Sequence, residues 1–221
     1  MITAPGNRFD PPRLSRRAAL AGLGATLAAP GAFGASRPAV ITMLGDSITA
    51  GFGLPARDAL PARLGEALVQ RGVNVTIRPA GVSGDTSADA LARVDFSVPP
   101  DTSLCLVALG GNDLLQGIEP KALHDNLQAI VRRLKARKIA VLLAGMRAPL
   151  AIGPDYAKQF NAVYPALARA EHVALYPYLL DGVGGNARLN QKDGIHPNAD
   201  GVKIIAGRLA PAVARTLAAR R

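Results

Sequence analysis

From residue 39 onward, short β-branched apolar runs alternate with longer segments in which apolar residues recur every three or four positions. That alternation predicts a sheet of parallel strands joined by crossover helices. Five runs read as strands: 39–44, 73–78, 103–109, 139–144 and 173–176. The third, Leu104-Cys105-Leu106-Val107-Ala108-Leu109, is apolar on both alternations, so it should be covered on both faces, with Cys105 as core packing and not a nucleophile. Behind Pro120, which suits a first helical turn, Leu123, Leu127, Ile130, Val131 and Leu134 follow helical spacing. In the last segment, 199–217, Val202, Ile205, Leu209, Val213 and Leu217 share one face, with Asn198 placed to cap the helix and Pro211 to bend it. No repeat or second composition regime interrupts this body. A single three-layer α/β domain is expected over 36–221.

The N-terminal 35 residues follow a different pattern. Residues 13–35 run from a basic patch through an apolar stretch, 18–29, to an exit of small residues, the architecture of an export signal. The stretch is too short to span a hydrocarbon core of about 30 Å, which argues against a permanent membrane anchor. Ser15-Arg16-Arg17-Ala18-Ala19-Leu20 resembles a twin-arginine signal, with Ala19 where an aromatic residue or leucine is usual. A periplasmic or secreted body is therefore expected.

Composition narrows the function classes. Of 221 residues, 49% are hydrophobic and 19% charged, enough apolar material for a self-folding core. One cysteine forbids an internal disulfide, and three histidines without thiols rule out a Cys/His zinc cluster, so neither metal nor organic cofactor is expected. Aromatics are 4% and tryptophan is absent, which leaves little for stacking single-stranded nucleic acid. Arg8, Arg13, Arg16 and Arg17 against Asp10 account for +3 of the net +10, leaving +7 on the body, a balance that favours anionic surfaces and substrates. The densest basic run, 132–138, ends a predicted helix, where cations oppose the macrodipole and face water; nucleic-acid binding is not expected.

In an open parallel sheet, ligands gather outside the carboxyl ends of the strands, so the loops that follow strands carry the candidate chemistry. Three such loops are 45–51, with Gly45-Asp46-Ser47; 80–86, with Gly81; and 110–113, with Gly110-Gly111-Asn112-Asp113. A fourth segment, Asp193-Gly194-Ile195-His196-Pro197, precedes the last helix. Singly each is an ordinary turn. Together they contain the parts of an acyl-transfer site: Ser47 as nucleophile, His196 as its base and Asp193 to orient the imidazole. The Ser47 and Gly81 amides and the Asn112 side chain could stabilise an oxyanion. His124 lies on a helix far from any serine loop, and His172 reads as a polar boundary residue at a helix-to-strand junction. Thr49 stands where the Gly-x-Ser-x-Gly elbow requires glycine, which disfavours a standard α/β-hydrolase. No Gly-x-Gly-x-x-Gly or Walker lysine is present. Asp46, Asp85 and Asp113 either tune the site or satisfy loop amides.

With these blocks in this order, the chain resembles the SGNH (GDSL-type) hydrolase family over 39–215, and within it the bacterial periplasmic branch of thioesterases, lysophospholipases and arylesterases. The resemblance implies a five-stranded parallel sheet of flavodoxin-like order 2-1-3-4-5, the triad Ser47, Asp193 and His196, and an oxyanion hole of Ser47, Gly81 and Asn112. It implies a small-molecule acyl ester, thioester or lysophospholipid as substrate, for a monomer or small homo-oligomer. Residues 146–156 fall where related enzymes have a mobile substrate loop. Leu150, Ile152, Tyr156 and Phe160 either line an acyl groove there or pack on the sheet. The rival activity is carbohydrate O-acetyl ester hydrolysis; the rival class is an exported binding module without turnover.

Overall fold

The structure, a computed structural model, describes residues 1–3 and 37–220. The export signal expected over 1–35 falls, after residue 3, outside the described residues. Strands β1 (Ala39–Gly45), β2 (Val75–Gly81), β3 (Leu104–Ala108), β4 (Ala140–Ala144) and β5 (Ala174–Tyr176) form one sheet in the order β2-β1-β3-β4-β5, every neighbouring pair parallel. The described helices are α1 (Ser47–Ala50), α2 (Leu60–Val69), α3 (Ser87–Ser97), α4 (Gly111–Leu115), α5 (Pro120–Ala136), α6 (Pro154–Glu171) and α7 (Ala199–Ala219). Helix α2 packs on α7 over one face of the sheet, while α3, α5 and α6 form a row over the other.

Burial explains these layers. All five residues of β3 are buried, as are Ile41, Met43 and Leu44 of β1, because the two central strands have helices on both sides. Leu123, Leu127, Ile130, Val131 and Leu134 form the inner stripe of α5, and Val202, Ile205, Leu209 and Val213 that of α7. Cys105 is fully buried, and loss of solvent pushes its thiol up to about 12, so it is inert packing. The basic end of α5 is tied to its neighbours: Arg132 Nε lies 2.7 Å from Glu171 and Lys135 Nζ donates to the Glu171 carbonyl at 2.6 Å.

The second strand differs from the sequence expectation. Val73 is used to close the turn after α2, its N–H donating to the Leu68 carbonyl at 3.0 Å, and pairing runs on through Pro79 to Gly81. Proline is accommodated because β2 is an edge strand, where one side of the backbone needs no ladder partner. The extension matters for function. Gly45 stands opposite both Gly81 of β2 and Ala108 of β3, so three strands deliver their following loops at one level.

Candidate active site

The order in which strands are added reverses at β1: the first crossover leads to β2 on one side, the next to β3 on the other. The crevice at that switch point is where an open α/β sheet takes ligands. Ser47 enters it as the first residue of α1. Gly45 permits the tight return, because a Cβ there would lie 2.1 Å from Thr49 Oγ1 and 2.8 Å from the Ala108 carbonyl. Asp46 caps the helix, its Oδ1 accepting from the Ile48 N–H at 3.0 Å. Thr49 thus fills the space over Gly45, which makes this turn a different solution from the glycine-flanked elbow.

The fourth segment reaches the same serine from 149 residues further along the chain, with His196 Nε2 2.8 Å from Ser47 Oγ. His196 Nδ1 lies 2.7 Å from Asp193 Oδ2. The other oxygen of Asp193 accepts from the Ile195 and His196 amides at 2.9 and 3.0 Å. The His196 hydrogen bond and then these amides hold the Asp193 carboxyl down at about 2, so it stays ionised across any physiological pH. Three contacts fix the segment: the Asn190–Pro197 bridge, a Gln191 side-chain N–H donating to the Phe52 carbonyl at 2.8 Å, and Phe52 packing on the His196 ring with centroids 4.6 Å apart.

Beneath the serine, Asp46 is buried, and desolvation pushes its carboxyl up to about 6 against the opposing pull of the Ile48 amide and of nearby His196. An unfolded Asp46 ionises near 3.8, so between that pH and about 6 the folded chain keeps a proton the unfolded chain has released. Stability therefore falls as pH rises through this window, by up to about 3 kcal/mol, and stays lower above it. Asp46→Asn keeps a cap for Ile48 and removes the ionisation. Its melting temperature should exceed the wild type's by several degrees at pH 8 and by much less at pH 4. Parallel melting curves for the two proteins across that range would contradict the assignment.

On the opposite side of Ser47, α4 carries Asn112, whose amide nitrogen donates to the Asp85 carbonyl at 2.8 Å. An amide has two hydrogens, so one is left for the crevice. The 80–86 loop that supplies this carbonyl is held by Arg93. Its Nε meets Asp85 Oδ2 at 2.6 Å, and its terminal nitrogens donate to the Ala80 and Gly45 carbonyls, each at 3.0 Å. Asp113 is used structurally too, accepting from the Ser87 N–H and hydroxyl at 2.9 and 2.5 Å.

Gly81 has a different surrounding from the one the sequence suggests. A Cβ on it would lie 2.5 Å from the Ala50 nitrogen and 2.8 Å from the Asp46 carbonyl, so it underlies α1. The Asn112 amide is bonded to the carbonyl of the Asp85–Thr86 peptide, and just before it Gly84, at φ 91°, adopts a conformation that favours glycine, with open space where a side chain would project.

A cleft of about 450 Å³ opens over Ser47, Asn112 and His196, with walls that include Ile48, Leu114, Leu115, Met146, Ile152 and Ile195. Of the four acyl-groove candidates, Ile152 is in this wall. Phe160 is fully buried between Tyr156 and Tyr164, at ring distances of 6.0 and 6.1 Å, so it packs in the core. Tyr156 Oη donates to the Ile118 carbonyl at 2.8 Å and ties α6 down, while Leu150 is 70% exposed outside the cleft wall. Both therefore depart from the groove expectation. Sequence reasoning missed Arg93, Phe52, Gln191 and Gly84. The Gly-Asp-Thr sequence after Ser83 was the available signal for Gly84, since a glycine before a helix cap marks a turn.

Comparison with known proteins places the chain in a family. Residues 43–204 match the GDSL-like Lipase/Acylhydrolase family. The chain is 39% identical to Esterase TesA of Pseudomonas aeruginosa over 158 residues, 71% of this chain and 79% of that protein. It is 35% identical to Thioesterase 1/protease 1/lysophospholipase L1 of Escherichia coli K12 over 175 residues, 79% and 83% of the two chains. Among solved structures it is similar to AlinE4, a SGNH-hydrolase family esterase, with a TM-score of 0.69 and 43% identity across 82% of this chain and 97% of that one. With a family match over most of its length and relatives 35–39% identical over more than two thirds of it, this chain belongs to the GDSL (SGNH) family of lipases and acylhydrolases.

Proposed function

We propose that the protein is an exported serine hydrolase that cleaves acyl esters or thioesters through an acyl-enzyme, with Ser47, His196 and Asp193 as its triad. The observation that carries this reading is the unbroken hydrogen-bond chain from Asp193 through His196 to Ser47. Ionised Asp193 fixes the imidazole tautomer with its proton on Nδ1, leaving Nε2 to take the Ser47 proton as Oγ attacks the acyl carbon. His196 then delivers that proton to the departing alcohol or thiol. Water, deprotonated by the same imidazole, releases the acid and regenerates Ser47. The oxyanion of each tetrahedral intermediate is met by the Ser47 amide and the free hydrogen of Asn112. For the third donor the Gly84 amide is favoured over Gly81, because Asn112 is bonded to the Gly84–Asp85 turn and Gly81 is packed under α1.

The apolar cleft supports medium or long acyl chains, with Ile152 a contact. Export follows from the 13–35 pattern, and among the described residues no helix is long and apolar enough to cross a membrane. The test combines labelling with a chain-length series. A fluorophosphonate should label the protein once, at Ser47 by peptide mass spectrometry, and kcat/KM on p-nitrophenyl esters should rise by about tenfold or more from acetyl to octanoyl. Absence of labelling would support the binding module. Labelling with turnover confined to acetyl esters would support the carbohydrate O-acetyl esterase.

A further inference from the structure

We propose that Arg147 reads the leaving group, selecting acyl substrates whose alcohol or thiol half carries a phosphate. The inference rests on the ester-hydrolase reading above and adds the chemistry of the half that departs. Arg147 is the one lysine or arginine in the wall of the cleft that holds Ser47 and His196, and no carboxylate pairs with it among the described residues. Most of the cleft is apolar, and the acyl half of a substrate is uncharged along its length. An unpaired cation there gains only from the other half.

The position of the guanidinium is built, not incidental. On one side, the Gly145 N–H donates to the Tyr176 carbonyl and the Leu179 N–H to the Gly145 carbonyl, both at 2.8 Å. On the other, Asn161 grips Ala148 in both directions, accepting from its N–H at 2.8 Å and donating to its carbonyl at 3.1 Å. Met146 and Ala148 are buried while Arg147 between them is exposed. Its Cζ lies 5.0 Å from the centroid of the Tyr178 ring, and Tyr178 is itself a wall of the cleft. Lying over the ring face restrains the guanidinium, and among the described residues no protein acceptor engages its N–H donors, so the fork can meet a phosphate's adjacent oxygens better than a point charge would. The +7 body attracts anions in general; only a fixed fork in the cleft distinguishes between esters already bound.

The experiment compares three substrates sharing an octanoyl chain: octanoyl-CoA, 1-octanoylglycerol 3-phosphate and uncharged 1-octanoylglycerol. The readout is kcat/KM for each phosphate-bearing substrate divided by that for the neutral one. Arg147→Met, which keeps a long side chain without charge, should lower the ratio about tenfold, chiefly through KM, and Arg147→Lys should restore part of it. Raising ionic strength to about 0.5 M should lower the wild-type ratio more steeply than that of Arg147→Met, which keeps only the general attraction of the basic body. A fall for only one phosphate-bearing substrate would support the inference and identify the phosphate's source, a glycerol head group or a thiol carrier. An unchanged ratio would overturn it, whether the variant keeps its activity or loses it equally on all three. Wild-type protein that hydrolyses none of the three would instead overturn the ester-hydrolase reading.

Discussion

Ser47→Ala is expected to lower kcat/KM on p-nitrophenyl octanoate by about 10⁴-fold or more while leaving the fold intact. The hydroxyl supplies the only atom that forms the covalent bond, and neither His196 nor Asp193 can replace it; water attacking from the same place lacks the serine's fixed geometry. The loss should be far from additive with His196→Ala, because the two groups act as one unit. Folding should barely notice. Ser47 Oγ is bonded to His196 Nε2 at 2.8 Å near the mouth of a cleft, and losing one such neutral bond costs only about 1 kcal/mol. Circular dichroism and a melting curve close to wild type, with activity gone and fluorophosphonate labelling abolished, is the predicted set. Activity within tenfold of wild type would remove Ser47 from the mechanism.

How much of this was legible in the sequence depends on what physics each residue answers to. The strand runs and the stripes of α5 and α7 were readable because burial on two faces or one leaves a period in the letters. The end of β2 was not, because Pro79 is excluded from a central strand but tolerated at an edge, and edge position is a property of the whole sheet. The hydrogen-bonded set of Ser47, His196 and Asp193 was readable as a candidate because the proposed nucleophile, base and orienter must be of particular residue types in turns that follow or approach strands. Arg93 was invisible for the opposite reason. A helical arginine looks like solvent-facing charge until the carbonyls of Gly45 and Ala80 are seen to end beside it. Phe160 was ambiguous because core and groove ask for the same apolar spacing, and only its complete burial decides between them. Gly81 shows the converse problem: a glycine demanded by close packing is indistinguishable in sequence from one that presents an amide.

That ambiguity makes the oxyanion side the next most informative place to cut. Asn112→Ala should reduce kcat by about 10²–10³-fold, with KM changed by less than about threefold. The split follows from when the bond is made. The ground-state carbonyl carries little charge and is served by the backbone amides, whereas the tetrahedral oxygen carries a full charge and needs every donor. Asn112 also steadies the 80–86 loop through its 2.8 Å bond to the Asp85 carbonyl, so alanine removes a support as well as a donor. A second variant separates these roles. In Asn112→Asp the side chain keeps its size but, once ionised, offers no hydrogen and sets a negative charge where the oxyanion forms, so kcat should fall further than in alanine. A purely structural role would instead share the loss between kcat and KM and lower the melting temperature in both variants, since neither alanine nor ionised aspartate can donate to the Asp85 carbonyl. Arg93, which holds Asp85 from the other side by a 2.6 Å ion pair and is only 20% exposed, keeps the loop in place in both variants. The comparison therefore reads the donor itself, and equal rates for alanine, aspartate and wild type would take Asn112 out of the oxyanion hole.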